Sequence, residues 1–239
     1  MSAVNRGFAL TWLGHHTFRL VTRGARTVLM DPWVESNPAC PKELKFFDKI
    51  DVMTISHGHD DHMGDAVTLA KKFKPVVVCN LEISLFLDRK GVANTLSMNK
   101  GGTAEAAGLK FTMVHAVHSS GIEDGGQVLY GGEAAGFVIT LEDGTRIYHA
   151  GDTAVHSDMA LIGELYPPDI VLLPIGDHYT MSPREAAVAA RMLKPRWIVP
   201  AHYGTTPVFT GTPEMLREEL KKLGLDIEVV ALRPGETLS

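Results

Sequence analysis

One pattern occurs twice in this 239-residue chain, and it constrains the fold more than any other feature. Residues 18–21, a turn at Gly24 and residues 26–30 read as a β-hairpin that ends at Asp31. About 120 residues later, residues 137–141, the turn Glu142-Asp143-Gly144 and residues 146–150 repeat the plan and end at Asp152. The apolar run after Asp51 matches the run after Asp169. The helical pattern over 65–73 matches a helix over Pro183–Leu193, which has proline in its first turn. Lys74-Pro75 before one apolar strand matches Lys194-Pro195 before another. The common order predicts an internal duplication, with two sheets face to face and helices outside. A core shared between the copies makes residues 1–239 a single domain.

Composition narrows the function. Hydrophobic residues make up 45% and charged residues 21%, as in a packed globular chain. The net charge of −5 gives no general basis for holding a nucleic-acid backbone. Two cysteines are too few for a disulfide framework. The segment over residues 1–16 lacks the apolar centre of a secretion signal, and no run is long enough to cross a membrane. The expectation is a cytoplasmic protein with a small-molecule substrate, no nucleic-acid or membrane partner, and a homo-oligomeric state.

The run Ser56-His57-Gly58-His59-Asp60-Asp61-His62 carries the chemistry. His57 and His59 are two apart, so an extended chain turns them the same way. Asp61 and His62 follow at the turn into a helix. Imidazole and carboxylate suit a borderline divalent cation such as zinc, and this spacing can serve two adjacent ions. The Gly-rich segment 121–136 has no phosphate-loop spacing and reads as an active-site loop. Residues 203–211 read as a second loop that sets pocket selectivity.

His57-x-His59-x-Asp61-His62 after an apolar strand resembles the signature of the metallo-β-lactamase superfamily. The resemblance implies an α/β fold, a four-layer αβ/βα sandwich of two similar halves. His118, in Val117-His118-Ser119-Ser120, resembles the third ligand of the first metal. Asp152, in Gly151-Asp152-Thr153, resembles the carboxylate that bridges both metals. His202, in Ala201-His202-Tyr203-Gly204, resembles the last ligand of the second. Trp12-Leu13-Gly14-His15, Tyr130-Gly-Gly-Glu133, the segment from Pro174 to Met181 and His202-Tyr203 are together similar to a group of small metal-dependent hydrolases. That group is itself similar to the ascorbate-6-phosphate lactonases and, more distantly, to the phospholipase D of N-acyl ethanolamine lipids. Asp60 departs from it, standing where the group often has glycine.

The implied ligand sets are His57, His59 and His118 for one ion and Asp61, His62 and His202 for the other, with Asp152 shared. Two divalent ions, zinc first with manganese, nickel or iron as alternatives, lower the pKa of a shared water enough to supply hydroxide. Asp61, Asp152 and His178 are the catalytic candidates, His178 as an acid or a substrate contact, with a purely structural histidine as the alternative. Asp31 is expected to orient a ligand histidine, and His15 either to line the pocket or to be a core or surface residue. Tyr203 and Tyr179 are either oxyanion donors or packing residues. His115, His149 and His156 are not expected to be ligands. The implied function is hydrolysis of a small ester, lactone or phosphodiester. The alternative is a metal-binding module or scaffold without turnover, although all seven ligand positions are filled.

Overall fold

The computed structural model describes residues 7–239; residues 1–6, the start of the segment read for a leader, lie outside the described residues. The first half runs β1 (Ala9–Trp12), β2 (Phe18–Val21), β3 (Thr27–Met30), a 3₁₀ turn (Lys42–Leu44), β4 (Val52–Thr54), α1 (Asp60–Met63), α2 (Ala66–Phe73), β5 (Val76–Asn80), α3 (Leu81–Arg89) and β6 (Thr95–Met98). The second half adds β7 (Thr103–Ala106), β8 (Leu109–His115), β9 (Gly121–Asp124), β10 (Gln127–Tyr130), β11 (Ala135–Thr140), β12 (Arg146–His149) and α4 (Asp158–Leu165). It closes with β13 (Ile170–Pro174), α5 (Pro183–Leu193), β14 (Trp197–Ala201), α6 (Pro213–Lys222), β15 (Glu228–Val229) and β16 (Thr237–Leu238).

These strands form two seven-stranded sheets, ordered β16-β1-β2-β3-β4-β5-β6 and β15-β14-β13-β12-β11-β8-β7. The duplicated pattern maps onto equivalent places in them. β2 and β3 pair antiparallel with Phe18 opposite Met30, and β11 and β12 pair antiparallel with Phe137 opposite His149. β3-β4-β5 and β12-β13-β14 then continue in parallel. The helices α2 and α5 both end on a left-handed lysine, Lys74 (φ 54°) and Lys194 (φ 53°). The following proline disfavours a right-handed helical conformation there, and the left-handed cap lets the lysine N–H bond back into the last turn.

β3 is buried at all four positions, and β13 at all five, because both faces of a parallel strand are covered. Leu10, Phe18, Val28, Met30 and Val52 from one sheet meet Phe111, Phe137, Ile139, Ile147 and Leu172 from the other in one apolar cluster. Leu29, Met53 and Val77 point the opposite way, to Ala66, Ala70, Ile83 and Leu87 on the helices. Tyr148, Val171 and Ile198 do the same toward Met159, Ala186, Leu193 and Leu216. The layers are therefore helix, sheet, sheet, helix, as expected. Each large apolar side chain removed from water contributes roughly 1.5–3 kcal/mol, which drives the stacking.

One segment differs from the sequence reading, and another has no counterpart in it. Residues 121–136 contain the β9–β10 hairpin, a separate two-stranded sheet, and not an open loop. The C-terminal segment supplies α6 and two strands of two residues each, and β16 returns to pair with β1. Strands that short carry no readable alternation.

Candidate metal centre

The parallel strands of both sheets end at one edge, where chain direction gathers the polar residues that follow them. Asp31 follows β3, the His57–His62 run follows β4, His118 lies just beyond β8, Asp152 follows β12, and His202 follows β14. Backbone geometry turns several of them inward. His15, Asp31 and His202 have φ of 55°, 47° and 53°, conformations that cost energy in a non-glycine residue. Gly58 is required locally, since a Cβ there would lie 2.6 Å from Ile122 of the β9–β10 hairpin. That hairpin thus braces the histidine loop.

The histidines form two groups. His57, His59 and His118 have donor atoms within 4.8 Å of one another, and so do His15, Asp61, His62 and His202. Asp152 stands between the groups. Its Oδ2 lies 3.6 Å from His118 Nε2, 3.3 Å from His62 Nε2 and 3.0 Å from His202 Nε2. Its Oδ1 accepts from His16 Nδ1 at 3.2 Å.

Hydrogen bonds behind these groups fix which ring nitrogens face inward. Asp31 is fully buried; its Oδ1 accepts from the Ser56 N–H at 2.8 Å. Its Oδ2 accepts from Ser56 Oγ at 2.7 Å and His62 Nδ1 at 2.8 Å. The Ser56 hydroxyl proton is therefore committed to Asp31, and Ser56 Oγ accepts from His57 Nδ1 at 2.9 Å. His57 and His62 both turn Nε2 toward the interior. His15 spans Asp61 Oδ2 and Thr205 Oγ1 at 3.0 Å each.

Burial lowers the pKa of His57, His59 and His118, so all three are neutral donors. Burial also carries His15 to about 4 and His16 to about 3. For Asp152, burial works upward, but His202, His62 and the His16 hydrogen bond outweigh it and hold the carboxyl well below the usual range. Asp31 and Asp61 are likewise held down against burial by their histidine neighbours. His62 goes the other way: burial opposes its charge, yet Asp152 and Asp31 raise its pKa well above the ordinary value. Three neutral imidazoles, ionised carboxylates and a His62 whose Nε2 proton a bound cation would displace fit a divalent cation pair. The buried His62 Nε2 and His202 Nε2 lie 3.3 Å and 3.0 Å from Asp152 Oδ2 and have no other hydrogen-bond partner among the described residues, a convergence that a shared cation would satisfy.

A cavity of about 320 Å³ opens over Asp61, Asp152 and His202 on one side and His59 and His118 on the other, with Ser119 and Tyr179 completing its wall. All seven residues of the implied ligand sets meet here, and Asp31 backs His62. Four expectations need correction. His178 follows β13 at this edge, but its side chain is exposed, packs edge-on against Tyr179 and does not line the cavity. Tyr203 stacks on Trp12 with centroids 5.1 Å apart and aims its hydroxyl at the Leu232 carbonyl, so it is a packing residue; burial raises its pKa to about 12. His15 is buried beside Asp61 and stays behind the cavity wall. Asp60 is exposed on α1. His115 bonds Lys100 and packs on His156, away from both groups. The segment 121–136 does not line the cavity either.

The sequence reading missed His16, Ser56, Thr205 and Phe209. His16 had a signal: in the sequence it stands two residues before the apolar Phe18 at the start of a strand pattern, although the structure places it in the turn that precedes β2.

Comparison with known proteins agrees with this arrangement. The beta-lactamase superfamily domain matches residues 9–202. A UPF0173 metal-dependent hydrolase of Koribacter versatilis is 54% identical, over 98% of this chain and 99% of its own. A second, from Methanopyrus kandleri, is 45% identical over 95% and 98%. Among solved structures, a metallo hydrolase of the hyperthermophilic archaeon Ignicoccus hospitalis superposes with a TM-score of 0.84 at 36% identity, covering 96% of this chain and 97% of that one.

Proposed function

Because the chain belongs to the metallo-β-lactamase superfamily and its relatives are metal-dependent hydrolases, we propose that it holds two divalent ions and hydrolyses a small ester, lactone or phosphodiester. The observation that carries this reading is Asp152 Oδ2, placed between His118 on one side and His62 and His202 on the other. His57, His59 and His118 would hold one ion, and Asp61, His62 and His202 the other, with Asp152 shared. When bound, such a pair polarises the scissile oxygen and supplies an activated water at neutral pH. The donor set of histidine nitrogens and carboxylates suits zinc.

The protein's own residues do the rest. Asp31 and Ser56 hold the Nδ1 protons of His62 and His57, so His57 Nε2 faces inward with its lone pair and His62 Nε2 faces inward to exchange its proton for a metal ion. His16 and His15 hold Asp152 and Asp61 in place. Ser119 and Tyr179 border the space left for substrate. Both cysteines are unpaired and buried, which suits a reducing compartment such as the cytoplasm. Among the described residues, no helix is long and apolar enough to cross a membrane.

Metal content per chain, measured by plasma mass spectrometry on protein purified without chelator, tests the reading. About two equivalents are expected, falling on replacement of His59 or Asp152 by alanine. About one equivalent would require the roles of Asp61, His62 and His202 to be redrawn. No metal after reconstitution would sink the proposal. A screen of esters, lactones and phosphodiesters with and without chelator then identifies the bond cleaved.

A further inference from the structure

Among the described residues, the cavity is lined by no lysine or arginine. Beyond the ligand groups, the wall is Ser119 and Tyr179. Tyr179 is 62% exposed and meets Phe209 edge to face at 6.2 Å, and Phe209 in turn meets His202 at 4.7 Å. An aromatic series thus runs from the rim to the floor. The turn that presents Tyr179 is tied by Tyr179 N–H to the Asp177 carbonyl at 2.7 Å and Asp177 N–H to the Met181 carbonyl at 3.0 Å. Among the described residues, neither lysine nor arginine lines the cavity or lies within two positions of a lining residue; the exposed charged residues that do are Asp60 and Asp177, both acidic.

The metal pair has to be counted in the electrostatics. Two divalent ions against Asp61 and Asp152 leave the floor net positive, so negative charge at the reacting centre is met there. Negative charge elsewhere on the substrate meets a ring and a hydroxyl. A phosphate or carboxylate handle is ordinarily held by a basic side chain. The volume, about 320 Å³, is at the small end for ligand pockets.

We propose that the substrate is a small ester, lactone or phosphodiester with no anionic group away from the scissile bond, and that Tyr179 is its contact on the wall. The inference rests on the hydrolase reading and sharpens it. It sets aside metabolites that carry a phosphate or carboxylate away from that bond.

Two matched pairs of probes test it on the metal-loaded protein. 4-Nitrophenyl butyrate and mono-4-nitrophenyl succinate differ by a terminal methyl against a carboxylate; N-phenylbutyramide and N-phenylsuccinamate are their slowly cleaved counterparts for calorimetry. The neutral member of each pair is expected to be favoured by about tenfold or more, in kcat/KM and in binding. Tyr179→Ala should raise KM for the butyrate about tenfold with kcat kept, whereas Tyr179→Phe should stay within about twofold. Tyr179→Lys should reverse the preference at unchanged metal content. Equal or reversed preference in the unaltered protein, in turnover or in binding, overturns the inference and leaves the hydrolase reading intact. A neutral preference in binding, with neither these esters nor any lactone or phosphodiester of the screen turned over, overturns the hydrolase reading and leaves the wall's selection standing. Binding of neither amide overturns the inference.

Discussion

His16 holds the carboxylate that joins the two halves of the site. It is fully buried, and with a pKa lowered to about 3 by burial it is neutral, so Nδ1–H donates to Asp152 Oδ1. Its Nε2 is buried without a partner, an unpaired acceptor that the fold tolerates to keep the proton on the other nitrogen. His149 Nε2 meets the His16 carbonyl at 3.2 Å and fixes the backbone behind it. Removing an orienting group of this kind weakens metal affinity roughly 10- to 100-fold. His16→Ala should do so in competition against a chromophoric chelator. His16→Asn, whose amide can donate from the position of Nδ1, should retain more affinity. Unchanged affinity in His16→Ala would show that Asp152 is held by its other neighbours.

Among the elements, α5 covers the outer face of the sheet that carries Asp152 and His202. Its start is fixed by a reciprocal cap. Ser182 Oγ accepts from Glu185 N–H at 3.4 Å, and Glu185 Oε2 accepts from Ser182 N–H at 2.8 Å. Ser182→Ala should cost about 1 kcal/mol. The urea midpoint should fall at constant slope, with metal content unchanged, because the cap lies outside the site. Loss of metal in this variant would mean that α5 positions the ligands as well as covering the sheet. At the end of β12, Gly151 (φ 61°) lets the chain pass Ser56, where a Cβ would approach the Ser56 Cβ to 2.6 Å. That close approach places Asp152 beside the His57 loop.

At the scale of the whole molecule, the site closes only when the two sheets pack, so its titration is coupled to folding. His15 and His16 titrate near 6.5 in an unfolded chain but at about 4 and about 3 in the folded one. His57, His59 and His118 shift in the same direction. Below pH 6.5 the unfolded state binds more protons, so stability falls as pH drops toward 4. His62 has the opposite shift: its contribution is fully present below 6.5 and is lost as pH rises through its raised pKa. The lowered carboxylates Asp31, Asp61 and Asp152 contribute losses only at more acid pH, below about 3.8. The urea midpoint of metal-free protein should therefore decline from pH 6.5 to pH 4. A midpoint that holds or rises over that range would contradict the neutral, buried state of these histidines.

Local spacing alone was enough to read the duplicated hairpins, the parallel strands that follow them, the limits of α5 and the His57–His62 run. Period-two burial, helix caps and proline positions act over a few residues, so they are written in the chain order. The resemblance that rests on the same run named His118, Asp152 and His202. The convergence of those three residues, and the partnership of His16 with Asp152 across 136 residues, came from the packing of one sheet on the other. So did the outcomes for Tyr203 and His178. Both follow site strands in sequence, yet one ring is drawn into the Trp12 stack and the other is turned outward by a left-handed backbone. Side-chain direction after a strand end depends on φ and on the neighbours that compete for the ring. Both are set by contacts between distant parts of the chain, which no local pattern encodes.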